Sequence, residues 1–230
     1  MQSMVTTGEW SGTAVAIIPA RKGSKRLPGK NLQVIAGRTL LCRAIRTVEA
    51  AAVPKIVVTT DCDQIAKEAK RCGATVVERP EELATPEASM WDAIRHAFAQ
   101  HPADLLAAVQ CTAPLLTVDD VRRCLLTAER FGRCGCVTQT NSWCVDDRMM
   151  PHRMDLLAAG SCFGLQAREL EGYEATKHGY KIPVISEIPY HCDIDRREDL
   201  EFARFVIEGR GGWMPYPWDI DSTRDAIGCV

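Results

Sequence analysis

Apolar runs of strand length alternate with stretches of helical period along most of this chain. AVAIIPA (14–20), KIVVTT (55–60), ATVVE (74–78), DLLAAVQ (104–110), GCVTQ (135–139) and SCFGLQ (161–166) predict strands. RTLLCRAIRTVEAA, DQIAKEAKRCG, SMWDAIRHAFAQ and TVDDVRRCLLTAERFG lie between them and predict helices, and REDLEFARFVIEG predicts a late one ending at Gly209. Thr117 with the acidic residues behind it, and Gly132 at the far end, form a helix start and stop pair. Strands that are apolar throughout, separated by helices, predict an α/β fold: a mostly parallel central sheet covered on both faces, in three layers. The chain divides into a loose arm (1–13), one domain (14–209) and a tail (210–230) holding two tryptophans and two prolines without clear period.

Composition narrows the classes. A length of 230 residues and a hydrophobic fraction of 46% suit one globular domain with a small appendage. The net charge of -2 argues against general electrostatic binding to nucleic acid. No apolar run is long enough to span a bilayer, and the opening MQSMVTTGEWSGT lacks the basic-then-apolar pattern of a signal peptide. No lipidation motif is present. Eleven cysteines, scattered singly, fit a reducing cytoplasm better than a disulfide framework. Cys134, Cys136 and Cys144, with His152, match no zinc spacing well and read as buried or half-buried thiols.

Against this neutral background one stretch stands out. IIPARKGSKRLPGKN (17–31) places Arg21, Lys22, Lys25, Arg26 and Lys30 directly behind the first strand. In a parallel α/β sheet, ligands bind beyond the carboxyl ends of the strands. Gly23 and Gly29 let the backbone turn sharply and approach a ligand. Cations and exposed amides together make an anion cradle, and this density suggests a polyphosphate. The glycine spacing fits neither the Walker loop nor the dinucleotide fingerprint. A solvated lysine-rich loop is the plain alternative.

The stretch IPAR-x-G-S-K-R-x-P-x-K-N resembles the nucleotide-binding loop of the acylneuraminate cytidylyltransferase family, the CMP-sialic acid synthetases and their relatives. Further matches follow in order: IVVTTD ending at Asp61, ERPEELATPEAS (78–89), VQCTAP (109–114) and CDIDRREDLEFA (192–203). Together they cover roughly 14–138 and 160–208. The resemblance implies a three-layer, Rossmann-like nucleotidyltransferase that moves CMP from CTP to an acidic, nonulosonic-type sugar and expels pyrophosphate.

The same resemblance suggests roles. Arg21, Lys25 and Lys30 would meet the triphosphate, with Arg21 and Lys30 nearest the β- and γ-phosphates. Gly23, Ser24, Arg26 and Asn31 would complete the loop. Arg79, Ala88 and Ser89 would recognise cytosine, and Gln110 would face the sugar. Such chemistry calls for a hard cation, magnesium. The i, i+2 spacing of Asp193 and Asp195 places both carboxylates on one face of an extended strand, and the family's D-x-D motif is its metal site. Asp195 would also help deprotonate the sugar hydroxyl; the alternative is that it caps the helix that follows. A second D-I-D, at Asp219 and Asp221, has no family counterpart.

Three departures are visible. Met90 stands where a second small hydroxyl residue is common, and Ala159 where an asparagine falls. Only seventeen residues (141–157) replace a longer segment that builds the family's dimer contact and part of its sugar site. Arg148, His152 and Arg153 could still meet a carboxylate there. A homo-oligomer would have to form by some other surface than that insertion.

Overall fold

The computed structural model describes residues 10–24, 26–145, 151–171, 173, 182–186 and 192–208; for 137–145, 151–160, 182–183 and 185–186 the backbone alone is described. Strands β1 (Ala14–Pro19), β4 (Lys55–Thr60), β5 (Thr75–Glu78) and β6 (Leu105–Val109) form where the apolar runs predict them. So do helices α1 (Leu40–Ala50), α2 (Asp63–Arg71), α3 (Met90–Gln100), α4 (Val118–Phe131) and α5 (Arg197–Ile207). A seven-stranded sheet has the order β5-β4-β1-β6-β8-β7-β9, with β7 (Arg133–Val145), β8 (Pro151–Gln166) and β9 (Ile182–Ser186). β8 runs antiparallel to its neighbours β6 and β7, and every other pairing is parallel.

The layers follow from the side-chain alternation of β1. Ala14, Ala16 and Ile18 face a core built with Leu41, Ile45 and Val48 of α1, Ile65 of α2, and Val121 and Leu125 of α4. Val15 and Ile17 face the other way, onto Trp91, Ile94 and Ala97 of α3. Both faces are therefore dry, and Ile17 and Ile18 are each fully buried. Each such side chain contributes about 1.5–3 kcal/mol relative to exposure. Trp91 seals the α3 face edge-on against Phe163 and Tyr173, with ring centroids 5.4 and 4.6 Å away. Helix α4 begins and ends as its sequence dictates: Thr117 and Asp120 form a reciprocal capping box, and Gly132 closes it at a φ of 96°.

Three features differ from expectation. β7 and β8 extend as paired backbone far into 141–157, the span read as a shortened insertion. β9 carries Pro183, which breaks its apolar pattern; proline is tolerated because β9 is the edge strand. A small hairpin, β2 (Val34–Ile35) and β3 (Arg38–Thr39), precedes α1. Within the arm, Trp10 packs on the core, Ser11 hydrogen-bonds to Glu129, and Thr13 to Asp104. Residues 1–9 and the tail 210–230, with Asp219 and Asp221, lie outside the described residues, as does Gly209, and α5 is seen to end at Ile207.

A third core fixes the approach to α5. Ile194, Leu200, Ala203 and Ile207 pack against Ile35, Leu40 and Leu115. The hairpin and the loop after β6 thereby grip the segment that carries Asp193 and Asp195.

Candidate functional site

The chain leaves β1, crosses to β4 and β5 on one side, then returns to β6 on the other side of β1. This reversal opens a crevice at the carboxyl ends of β1 and β6, where doubly wound sheets bind ligands. A cavity of about 560 Å³ lies there, lined by Arg21, Gly23, Ser24, Arg26, Lys30, Asn31, Arg79, Ala88, Ser89, Gln110, Asp193 and Asp195, among others. The structure thus brings together every site residue expected from sequence except Lys25, which lies outside the described residues.

The loop is held from behind. Asn31 is buried; its Nδ2 donates to the Arg21 carbonyl at 3.0 Å, and its Oδ1 accepts from the Cys111 thiol at 3.2 Å. This residue therefore braces the bend while it lines the cavity. Asp61, to which the sequence reading gave no role, accepts from the Lys22 N–H at 2.8 Å. The signal was available: an acidic residue directly after β4, at the same edge as the loop. Gly29 has a φ of 65°, a left-handed conformation that favours glycine. Gly23 does not, so the turn there requires no glycine; a Cβ at that position would meet no atom within 4 Å.

Positive charge converges on the cavity from two sides. Arg21 Nη1 donates to the Thr85 carbonyl at 2.9 Å, tying the loop to the segment before α3. Arg79 is buried, donates to the Thr59 carbonyl at 2.8 Å, and leaves its Nε without a partner among the described residues. Burial pulls its pKa below the usual guanidinium value. Ala88 and Ser89 line the same wall, and Ser89 also accepts from the Trp91 N–H as the N-cap of α3. Met90, the first residue of α3, lines the wall beside them. Gln110 directly follows β6 and lines the cavity; its backbone N–H donates to the Ser161 carbonyl at 3.0 Å, and its carboxamide bonds to no described residue.

The acidic side comes from residues 192–195, which form an extended segment and not the expected strand. Only one backbone bond, Ile194 N–H to the Thr112 carbonyl at 2.8 Å, ties it to the loop after β6. The i, i+2 logic survives: Ile194 is fully buried, and both flanking carboxylates line the cavity. Asp195 accepts from Lys30 Nζ at 2.9 Å and pairs with Arg26 at 2.5 Å. Burial pushes its carboxyl up, but the Lys30 hydrogen bond, with the charges of Lys30, Arg26 and Arg196, outweighs that and holds it below the usual range. Asp195 is not the helix cap. Arg196 is the N-cap, and Asp199, three residues into the helix, accepts the N–H groups of Asp195 and Arg196 at 2.9 and 2.8 Å. Asp193 is exposed and makes no hydrogen bond or ion pair with a described residue. Asp193 offers free oxygens and Asp195 does so once Lys30 and Arg26 turn to another anion, a pair of carboxylates that suits a hard divalent cation. Among the described residues no helix is long and apolar enough to cross a membrane. The side chains of Cys144, Arg148, His152 and Arg153 lie outside the described residues.

Comparison with known proteins agrees with this geometry. The family model described as cytidylyltransferase matches residues 15–138. The chain is 34% identical over 212 residues to the N-acylneuraminate cytidylyltransferase of Escherichia coli O18:K1:H7, covering 82% of this chain and 51% of that enzyme. It is 48% identical over 73 residues to the CMP-N,N'-diacetyllegionaminic acid synthase of Legionella pneumophila, covering 31% and 32%. It is 29% identical over 110 residues to the 3-deoxy-manno-octulosonate cytidylyltransferase of a Chelativorans species, covering 48% and 44%. This chain thus spans about half or less of each of these relatives. Its fold resembles that of CMP:2-keto-3-deoxy-manno-octonic acid synthetase solved with CTP, at a TM-score of 0.66 and 19% identity over 84% of this chain and 97% of the other.

Proposed function

Because the chain belongs to the cytidylyltransferase family, we propose that it transfers CMP from CTP to a hydroxyl of an acidic, nonulosonic-type sugar and releases pyrophosphate. The observation that carries this reading is one cavity in which Arg21, Arg26 and Lys30 stand opposite Asp193 and Asp195, with Gln110 in its lining. The sugar oxygen attacks the α-phosphorus, a P–O bond forms, and the bond to pyrophosphate breaks. Arg21 and Lys30 hold the β- and γ-phosphates and neutralise the charge that builds on the leaving group. Lys25 belongs to the same loop and adds to that charge. Amides near Gly23 and Ser24 add uncharged donors, and the missing Cβ at Gly23 keeps the approach open. Arg79, Ala88 and Ser89 form the wall for the cytosine ring. Gln110 orients the sugar.

Asp193 and Asp195 would hold magnesium, which when bound supplies charge neutralisation of the phosphates and acidifies the sugar hydroxyl. Asp195 has a second use. With no nucleotide present it neutralises Lys30 and Arg26, so the cations are held in place before the triphosphate arrives. Triphosphate oxygens then take over those two partners and leave the carboxylate available.

A different acidic sugar is the second reading, favoured by the likeness to the octulosonate enzyme and by the short 141–157 segment. Pyrophosphate release with magnesium, each of the four common nucleoside triphosphates and a panel of nonulosonic acids, octulosonate and hexose 1-phosphates tests both. CTP with a nonulosonic acid is the expected pair. A signal with another pair would replace the acceptor or the nucleotide. Silence throughout, with CTP still bound, would overturn catalysis.

A further inference from the structure

Away from the cavity, a second cluster of reactive side chains has no part in the proposed reaction. Cys42 on α1, Glu68 on α2 and Cys72 at the end of α2 bring two sulfurs and a carboxylate oxygen within 4.8 Å of one another. Arg71 donates from Nε to Glu68 at 2.8 Å and from Nη2 at 3.0 Å, and the same Nη2 reaches Cys72 Sγ at 3.6 Å. Thr39, the N-cap of α1, donates to Glu68 at 2.6 Å. Arg46, one turn beyond Cys42, adds its charge to the group. The two cysteines are only 4% and 2% exposed.

We propose that Cys42 and Cys72 form a reversible dithiol, which a hydroperoxide closes into a disulfide between α1 and α2. The two sulfurs lie within 4.8 Å of one another, one on α1 and one at the end of α2, and a bond of about 2 Å requires them to draw closer locally. Guanidinium groups face the pair and favour a thiolate, the form that attacks a peroxide. The adjacent Cys72, aided by Arg71 and Arg46 and opposed by burial and the Glu68 carboxylate, holds the Cys42 thiol below its usual range, while Cys72 is held above. Elsewhere burial pushes the thiols of Cys111, Cys136 and Cys192 up to about 12, so they remain protonated. A metal is the poorer occupant. Glu68 already accepts three hydrogen bonds, two of them from a cation that would face the ion.

The step balances. The Cys42 thiolate attacks one peroxide oxygen, the O–O bond breaks, and water or an alcohol leaves a sulfenic acid on Cys42. Cys72 attacks that sulfur, the S–S bond forms, and the hydroxyl departs as water with the remaining thiol proton. The dithiol loses two electrons and the peroxide gains them.

The test treats the reduced full chain with hydrogen peroxide, a reagent small enough to reach the buried pair, and maps crosslinks by peptide mass spectrometry. A loss of two hydrogens linking the Cys42 and Cys72 peptides, ahead of any other thiol and reversed by dithiothreitol, is the expected result. Cys72→Ser should instead leave a Cys42 sulfenic acid that dimedone traps. The assignment falls if both thiols survive while others oxidise, or if the link forms only in urea. It also falls if the reduced protein retains one equivalent of zinc that shields the pair from peroxide. None of these readouts depends on nucleotide transfer.

Discussion

Lys30 and Asp195 lie 165 positions apart, yet Lys30 Nζ donates to Asp195 Oδ1 at 2.9 Å. The contact joins the two halves of the site. One half is the basic bend behind β1, braced by Asn31 and Asp61. The other is the acidic segment pinned by Ile194 to the third core. The lysine is largely shielded, with 15% of its side chain accessible against 33% for Asp195. The pair therefore sits where solvent screens it only in part.

Exchanging Asp195 for Asn keeps the size of the side chain and removes its charge. Turnover should fall on the order of a hundredfold or more, because charge stabilisation at the reacting centre is lost. CTP binding should stay close to normal, since Arg21, Arg79 and the loop amides remain. Steady-state pyrophosphate release and calorimetric CTP titration separate the two; normal turnover would remove Asp195 from the metal site.

Lys30→Ala should act on the triphosphate. It removes a largely shielded cation of the loop, so kcat/KM for CTP should drop about tenfold or more. Unchanged kinetics across a CTP concentration series would refute its role.

Asp195 also makes stability depend on pH. Its folded pKa lies below the unfolded value of about 3.9, so its contribution is complete above that value and is lost as pH falls through the folded one. Asp195→Asn should therefore be less stable than the native chain at pH 6, with the difference closing below about pH 4. Urea midpoints measured for both proteins from pH 7 to pH 3 would show it; a constant gap would exclude the linkage.

Gly164 allows α4 to lie close on β8. A Cβ there would stand 2.3 Å from the Cys124 carbonyl oxygen and 2.9 Å from Cys134 Sγ, so the helix backbone itself would have to move. Gly164→Ala should cost about 2–3 kcal/mol, read as a lower denaturation midpoint. An unshifted midpoint would mean the helix moves freely.

Ala36 shares the β2–β3 turn with Gly37, at φ values of 46° and 76°. Two positive φ angles mark the turn that suits the twist of a two-stranded hairpin, and alanine pays a steric penalty in it. Ala36→Gly should stabilise the protein by about 0.5–1 kcal/mol. A drop in melting temperature would show that the turn tolerates alanine without strain.

Much of this was legible because the signals are local. The dry strands, the Thr117 and Gly132 helix ends, the cation run and the paired aspartates each occupy a few consecutive residues. What escaped depends on contacts distant in sequence. Pro183 hides β9, since nothing nearby says that the strand will lie at an edge. Two-residue strands such as β2 and β3 give too few positions for a period. The bracing role of Asn31 depends on Cys111, eighty positions on, which holds its oxygen. Asp193 and Asp195 line one cavity for a reason the spacing only half captures: the buried Ile194 between them, more than any strand, sets both carboxylates on its wall.

The order in which the site is written along the chain has a consequence for synthesis. During translation the cationic bend leaves the ribosome about 160 residues before its counter-charge, and α5, which fastens that counter-charge, follows later still. A nascent chain that has completed only β1 through β6 already displays the anion cradle with no carboxylate opposite it. Until Asp195 is made, Arg26 and Lys30 lack the carboxylate that pairs with both of them. The Lys30–Asp195 contact, 165 positions long, thus forms only after the rest of the cavity wall has been made, and long-range contacts of this kind are slow to close.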